Sequence, residues 1–172
     1  MERRGQPHLL VDGWNIAHAW SDVSIHWREG PAAVAAALEA RLRVLYNRAG
    51  REVTLVFDGR GPAEGGAPPA VGTGDGVCVV YTEAGVSADA YMERRVGEAG
   101  EPAAFVVATG DRALANAVFA MGAEVLSPRV LREEVERCEQ AVLRSLPPSK
   151  EPLAENPFGE LDGLFPENRK GS

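Results

Sequence analysis

The chain has 172 residues, of which 45% are hydrophobic and 25% are charged, and its formal net charge is −7. This balance predicts one globular domain with some excess length, and no apolar run approaches the roughly 20 residues that span a bilayer. The chain starts without the apolar stretch of a secretory signal, and its two cysteines, Cys78 and Cys138, lack metal-type spacing. We therefore expect a cytoplasmic protein with reduced thiols and no membrane partner.

The first half of the chain combines short apolar runs with one clear helix. Residues 8–12 and 53–57 are apolar and rich in β-branched residues, the pattern of strands that are buried on both faces. An aromatic-rich connection over 13–30 leads to a helix over about 31–49, which a proline opens and a glycine closes. A long loop over 59–76 is dense in Gly and Pro and has no periodicity.

The second half continues this alternation to about residue 146. Its predicted elements are strand 77–81, helix 88–98, strand 104–109, helix 112–121, strand 124–126 and helix 128–146. The order βαβαβαβα predicts an α/β fold, a three-layer Rossmannoid sandwich with a parallel sheet of about five strands. We assign residues 1–7 to a short N-terminal extension, 8–146 to the domain and 147–172 to a polar, flexible tail.

Four aspartates follow four of the predicted strands. Asp12, Asp58 and Asp111 come at or just after a strand end, and Asp89 lies in the first turn of the helix after strand 77–81. Parallel strands present their carboxyl ends at one edge of the sheet, where ligands bind. Carboxylates gathered there would repel each other unless a divalent cation sat among them. The sequence therefore predicts a metal site formed by these four residues.

Each aspartate also has a purely structural alternative. Asp12 and Asp58 precede a glycine, as is common in turns, and Asp111 could cap the helix that follows it. Asp89 could simply favour the dipole of its helix. Independent turn and cap choices would more often place Asn, Ser or Thr at one or two of the four positions, so the repeated aspartate favours the metal site.

Neighbouring residues could support such a site. Asn15 lies at a distance from Asp12 that suits an amide orienting a ligand or phosphate, with helix capping as the alternative. Glu93 follows Asp89 by one helical turn and is either an outer ligand or a solvated acid. Trp14 could stack an exposed base or pack against the sheet edge. Arg94 and Arg112 could meet phosphates or remain on solvated helix faces.

The donor chemistry favours phosphodiester hydrolysis. Carboxylate oxygens select Mg²⁺ or Mn²⁺ over zinc, and these ions activate water and stabilise a leaving oxygen. The glycine cluster at 72–76 precedes a strand instead of following one, so a P-loop is not predicted. Trp occupies position 14, where a phosphoaspartyl phosphatase needs a second aspartate, and the domain lacks the lysine of a receiver. The negative net charge predicts weak, metal-dependent binding of a polyanion.

Taken together, the motifs around these four aspartates resemble those of the NYN domain, a PIN-like nuclease fold, and most closely those of its bacterial YacP-like branch. The motifs are Asp12-Gly-Trp-Asn15, Phe57-Asp-Gly59, Ser87-Ala-Asp89 with Glu93, and Thr109-Gly-Asp111. The resemblance covers roughly 8–146. It implies a metal-dependent endoribonuclease with Asp12, Asp89 and Asp111 as metal ligands, supported by Asp58 and Asn15. It further implies RNA as substrate and a ribosome-associated role in mRNA cleavage.

The chain departs from the family pattern at three places. Trp14 replaces the usual Tyr, Gly110 stands where Ser is common, and the loop over 59–76 has Arg60 as its single basic residue. None of these changes removes a carboxylate. The alternative hypothesis is a non-catalytic RNA- or ribosome-binding module. The apolar residues of the tail segment 156–165 suggest either a docking peptide or a segment that packs on its own domain or stays disordered.

Overall fold

A parallel five-stranded sheet forms the centre of the protein, with the strand order β3-β2-β1-β4-β5. The computed structural model describes residues 6–59 and 76–145. The strands are β1 (His8–Asp12), β2 (Val53–Phe57), β3 (Val77–Tyr81), β4 (Phe105–Ala108) and β5 (Glu124–Leu126). The helices are α1 (Gly13–Ala19), α2 (Ser21–Ser24), α3 (Pro31–Ala49), α4 (Ala88–Gly97), α5 (Arg112–Met121) and α6 (Pro128–Ser145). Short 3-10 turns cover Ile25–Arg28 and Pro102–Ala104.

Helices cover both faces of the sheet, so the predicted three-layer α/β sandwich is confirmed. Successive side chains of a strand point to opposite faces. Leu9 and Val11 accordingly pack in a core with residues of α1, α3 and α6, whereas Leu10 packs in a second core with residues of α4 and α5. All three side chains are fully buried.

The strand order of the sheet reverses between β1 and β4. It adds β2 and then β3 on one side of β1, and afterwards returns to add β4 and β5 on the other side. Val11 of β1 pairs with Ala108 of β4, so both strands end at the same level. Ligands of open α/β sheets bind in the crevice at such a switch point. The fold therefore places the first and fourth sequence motifs side by side.

The aromatic-rich connection over 13–30 is more helical than the sequence predicted. Asp12 caps α1 through its side chain, so the helix begins directly after β1. Ile16, Ala17 and Trp20 of this segment are buried in the core, and the indole N–H of Trp20 donates to the Pro128 carbonyl over 3.0 Å. Helices of one or two turns are too short to show a hydrophobic period in the sequence. They are stabilised mainly by tertiary packing, which the sequence pattern does not reveal.

Two further predictions concern segments outside the described residues. The glycine-rich loop is described only at Gly59 and Gly76, and the tail over 147–172 not at all. Strand β4 is one residue shorter at each end than the predicted strand 104–109. Among residues 6–59 and 76–145, no helix is long and apolar enough to cross a membrane.

Candidate active site

Asp12 is the centre of the candidate site and is the last residue of β1. Its side chain lies at the β1–β4 switch point and the residue is only 8% exposed. Its Oδ2 accepts a hydrogen bond from Thr109 Oγ1 over 3.1 Å, and its Oδ1 accepts a longer one from the Asn15 backbone N–H over 3.4 Å. A buried carboxylate is tolerated only with such partners.

Hydrogen bonds join the end of β1 to the end of β4. Thr109 Oγ1 accepts from the Asp111 N–H over 3.0 Å while its own proton goes to Asp12. The Asn15 side-chain carbonyl accepts from the Gly110 N–H over 2.7 Å. Asp111 Oδ1 caps α5 by accepting from the backbone N–H groups of Ala113 and Leu114. We call the five residues of this network the inner corner: Asp12, Asn15, Thr109, Gly110 and Asp111.

The capping alternative for Asp111 is therefore correct as a structural role. It uses one carboxylate oxygen, Oδ1, for the two backbone N–H groups at 2.7 and 3.2 Å. A carboxylate has four lone-pair sites, so capping and ligand binding are compatible. The same holds for Asp12, which caps α1 and lines the switch point.

The predicted carboxylates act on one another electrostatically. The pKa of Asp12 is raised to about 6, chiefly by burial and further by the charges of Asp89 and Asp111, against the lowering effect of its hydrogen bonds. Burial also raises the pKa of Asp89, with added contributions from the charges of Asp111, Glu93 and Asp58. The inner corner and the residues Asp58 and Asp89, which we call the outer rim, thus share one region of negative potential.

The outer rim is less fixed than the inner corner. Asp58 is exposed and Asp89 is half-buried. The backbone carbonyl of Asp58 accepts a hydrogen bond from Trp14 Nε1 over 3.1 Å, which anchors the chain at this point but leaves its carboxylate to solvent. Ser87, and not Asp89, caps α4.

Carboxylate oxygens suit Mg²⁺ or Mn²⁺. Burial, together with the charges of the neighbouring carboxylates, raises the pKa of Asp12 and of Asp89. The side chains are nevertheless not arranged as a finished metal site. Within 6–59 and 76–145, no group of three or more His, Cys, Asp or Glu side chains is placed to hold one ion. The carboxylate oxygens are suitable ligands for a divalent cation. To bind one ion together, however, the side chains of the outer rim would have to move toward those of the inner corner.

Trp14 adopts the packing alternative. Its ring lies 4.2 Å from that of Phe57 and 5.3 Å from that of Trp27. A Cβ at Gly13 would lie 2.3 Å from the Phe57 ring, so this position needs glycine for the close approach. The half-buried Trp14 lies at the border of the site. Its predicted stacking contact with a nucleobase stays a prediction.

The two arginines that were predicted to contact phosphates lie on α4 and α5, the helices that carry Asp89 and follow Asp111. Arg112 is exposed in the first turn of α5. Arg94 is exposed on α4, and its guanidinium lies 5.9 Å from the centre of the Tyr91 ring. Their contact with phosphates likewise stays a prediction.

Thr109 is a member of the inner corner that sequence analysis quoted within a motif but gave no role in the site. Its hydroxyl is the only group that bridges Asp12 and Asp111 among the hydrogen bonds of the described residues. The signal was present as the residue before Gly110-Asp111, but a threonine at a strand end has no distinctive spacing. Its role depends on β1 and β4 being neighbours, which requires the sheet order.

A parallel α/β sheet with a crowded acidic switch point defines a PIN-like fold. Residues 9–160 match the YacP-like NYN domain, and the chain belongs to this family. Similar solved structures include Rae1 (YacP) from Bacillus subtilis, which is 26% identical with a TM-score of 0.63 and coverage of 80% of this chain and 78% of that chain. A single-substitution variant of that protein is also 26% identical, with a TM-score of 0.64 and 80% of both chains covered. No curated protein matches the chain. The family is a nuclease family, which supports an RNA-related function.

Proposed function

We propose that the protein is a Mg²⁺- or Mn²⁺-dependent endoribonuclease that hydrolyses phosphodiester bonds of single-stranded RNA. The observation that carries the proposal is Asp12, a carboxylate at the switch point whose pKa is raised to about 6 by burial and by the charges of Asp89 and Asp111. A fold gains no stability from such crowding. Perturbed carboxylates in a crevice are therefore candidates for function.

Asp12, Asp89 and Asp111 would hold the cation, and Asp58 would be the fourth carboxylate of the site. A divalent ion bound there supplies charge neutralisation at the phosphodiester and a Lewis acid for the attacking water. The inner corner provides a prepared half of the site, because Thr109 and Asn15 fix the ends of β1 and β4. The outer rim provides carboxylates that can reorient at small cost, since Asp58 is solvent-exposed.

Asn15 is suited to orient a phosphate or water. Its Oδ1 accepts from the Gly110 N–H, which settles the orientation of the amide. The opposite end of the amide, Nδ2, then points donors away from this bond, and phosphate oxygens are acceptors. Arg94, Arg112 and Trp14 border the site and would contribute phosphate and base contacts on the RNA.

The test is incubation of the purified chain with a single-stranded RNA oligonucleotide in Mg²⁺, in Mn²⁺ and in EDTA. We expect cleavage in the presence of either metal and none in EDTA. Asp12→Asn serves as the inactive control and must show the melting temperature of a folded protein. Cleavage at the wild-type rate by this variant, or cleavage that persists in EDTA, would overturn the mechanism.

A second candidate is a non-catalytic RNA- or ribosome-binding module with the same fold. One observation favours it, namely that the described carboxylates do not already form a three-ligand metal site. Binding of the same RNA without any EDTA-sensitive cleavage would support the module and contradict the enzyme.

The cellular setting is a further part of the proposal. Cys78 and Cys138 are both free thiols, which agrees with a reducing compartment such as the cytoplasm. The family resemblance suggests mRNA at the ribosome as the substrate. Co-sedimentation of the purified chain with ribosomes, against an excess of free RNA, tests this setting separately from cleavage.

A further inference from the structure

We propose that a pocket between the end of β3 and α4 binds one amino-bearing nucleobase of the RNA, beside the acidic rim. This inference rests on the proposed function in taking RNA as the ligand. The pocket has a volume of about 260 Å³. Binding sites for drug-sized ligands span roughly 300–1,000 Å³, so this pocket suits a single small heterocycle.

One wall of the pocket contains a buried hydroxyl that lacks a partner. Thr82 is 6% exposed, and its Oγ1 has no hydrogen-bond partner among the described residues. Thr82 is one of the residues that line the pocket, and buried polar groups are nearly always paired, so its unpaired hydroxyl is the group that a hydrogen-bonding ligand beside it would engage. A hydroxyl can both donate and accept, which matches the edge of a nucleobase.

The lining also includes an aromatic ring. Tyr91 and Arg94 of α4 line the pocket, with the guanidinium 5.9 Å from the ring centre. Tyr91 is half-buried, so its ring is held in place while part of it remains accessible. Unpaired RNA bases stack on aromatic rings and on guanidinium planes.

The charges of the lining favour a base over a phosphate. Glu83 and Arg94 carry opposite charges and both line the pocket, so its net charge is near zero. A phosphate would meet Glu83 as a repulsive neighbour. A carboxylate instead accepts from the exocyclic amino group of cytosine, which uracil lacks.

The position of the pocket suits a nucleotide next to the cleaved one. The Thr82 N–H donates to the Phe57 carbonyl over 2.9 Å, and Phe57 directly precedes Asp58 of the outer rim. Tyr91 lies on the same helix as Asp89, two residues later. RNA whose backbone crosses the acidic rim can therefore place a neighbouring base in this pocket.

The test measures binding and cleavage separately. Binding is measured by fluorescence anisotropy in the full-length Asp12→Asn background with Mg²⁺, using matched single-stranded decamers of cytidine and of uridine. We expect tighter binding of the cytidine decamer, and about tenfold weaker binding of it after Tyr91→Ala, because base–aromatic stacking is worth about that much or more. Tyr91→Phe keeps the ring and is the matched control, with an affinity expected within about twofold of the parent.

Two further variants test the polar contacts. Thr82→Val removes a hydroxyl that has no partner within 6–59 and 76–145, so we expect an unchanged or higher melting temperature together with weaker binding of the cytidine decamer. Glu83→Gln replaces the accepting carboxylate and should reduce the preference for cytidine over uridine. A merely structural role for Thr82 would lower the melting temperature and leave both affinities unchanged.

The outcomes separate this proposal from the proposed function. Equal affinities of Tyr91→Ala and its parent, or no preference between the two decamers, would overturn the base pocket even if the wild-type chain cleaves RNA. Loss of affinity in Tyr91→Ala in a chain that never cleaves would support the pocket and contradict the enzyme. With an active wild type, Tyr91→Ala should raise KM for the cytidine decamer about tenfold and leave kcat within about threefold.

Discussion

The inner corner and the outer rim carry the same kind of side chain but are built in different ways. In the inner corner, Asp12 is buried and hydrogen-bonded to Thr109, and Asn15 ties β1 to the Gly110 N–H. In the outer rim, Asp58 is exposed and Asp89 is half-buried. The difference shows which half of the site the fold prepares in advance and which half is left to adjust around a ligand.

This division has a physical cause. Parallel pairing of β1 and β4 brings their carboxyl ends to one level, so short polar side chains there can bond directly. Asp58 and Asp89 instead follow β2 and β3, farther from the switch point. The charge of Asp89 acts on Asp12, and the charge of Asp58 acts on Asp89. Charge alone orients a side chain weakly, because solvent screens it.

The largest expected effect separates the two regions directly. Asp12→Asn should reduce kcat by roughly 1,000-fold or more, as loss of a central catalytic group does. Asp58→Asn should reduce it only roughly tenfold, since an exposed charge contributes through a screened interaction. Cleavage rates in Mn²⁺ measure both. Equal losses from the two substitutions would refute the distinction between corner and rim.

The next effect concerns the bridge inside the corner. Thr109→Val removes the hydroxyl that donates to Asp12 and accepts from the Asp111 N–H, so we expect roughly 10- to 100-fold slower cleavage and a loss of about 1–3 kcal/mol in unfolding free energy. Thr109→Ser retains the hydroxyl and is the control. Rates and denaturant midpoints should place Ser near wild type. A valine variant as active as the serine variant would show that the bridge is dispensable.

The pKa of Asp12 predicts a pH dependence. Because the folded-state pKa lies at about 6, above the ordinary aspartate value of 3.8, the folded chain holds this proton more tightly than the unfolded chain. The metal-free protein should therefore lose roughly 2–3 kcal/mol of stability as the pH rises from about 4 to 6, and no more from Asp12 above that. A cation competes with the same proton, so stabilisation by Mn²⁺ should appear as the pH rises through about 6.

Denaturant unfolding between pH 4.5 and 7.5, with and without Mn²⁺, checks this dependence. Asp12→Asn carries no titratable group at that position and should flatten the metal-free profile between pH 4.5 and 6. Stabilisation by Mn²⁺ that is already complete at pH 4.5 would contradict the assignment of the raised pKa to this carboxyl.

The smallest effect lies at the edge of the outer rim. Trp14→Phe removes the hydrogen bond from Nε1 to the Asp58 carbonyl but keeps an aromatic ring against Phe57. We expect a loss of about 1 kcal/mol in unfolding free energy and a kcat within about threefold of wild type. Chemical denaturation and cleavage rates provide the two measurements. A large loss of kcat with intact stability would instead assign Trp14 to the substrate.

Much of the fold was predictable because it follows from local patterns. The apolar runs over 8–12 and 53–57 match β1 and β2 residue for residue, and the proline and glycine that bound α3 mark its ends. Helix α1 was missed, since a seven-residue helix capped by Asp12 gains its stability from tertiary burial.

The candidate site was predictable in its residues but not in its arrangement. Sequence patterns place Asp12, Asp58 and Asp111 at or just after strand ends and Asp89 in the first turn of the helix after β3. The bridge through Thr109 depends instead on which strands are neighbours. Whether the carboxylates form one coordination shell depends on side-chain rotation and bound charge, neither of which a sequence pattern encodes. The described residues accordingly show a shared region of negative potential and no finished three-ligand site.

The central claim is that the inner corner and outer rim together take up a divalent cation. Calorimetric titration of the purified chain with Mn²⁺ at pH 7.5 tests it most directly, with Asp12→Asn alongside. We predict saturable uptake that EDTA reverses and that the substitution weakens at least about tenfold. Wild-type protein that takes up no Mn²⁺ at millimolar concentrations, or an Asn variant that binds it equally well, would contradict the account.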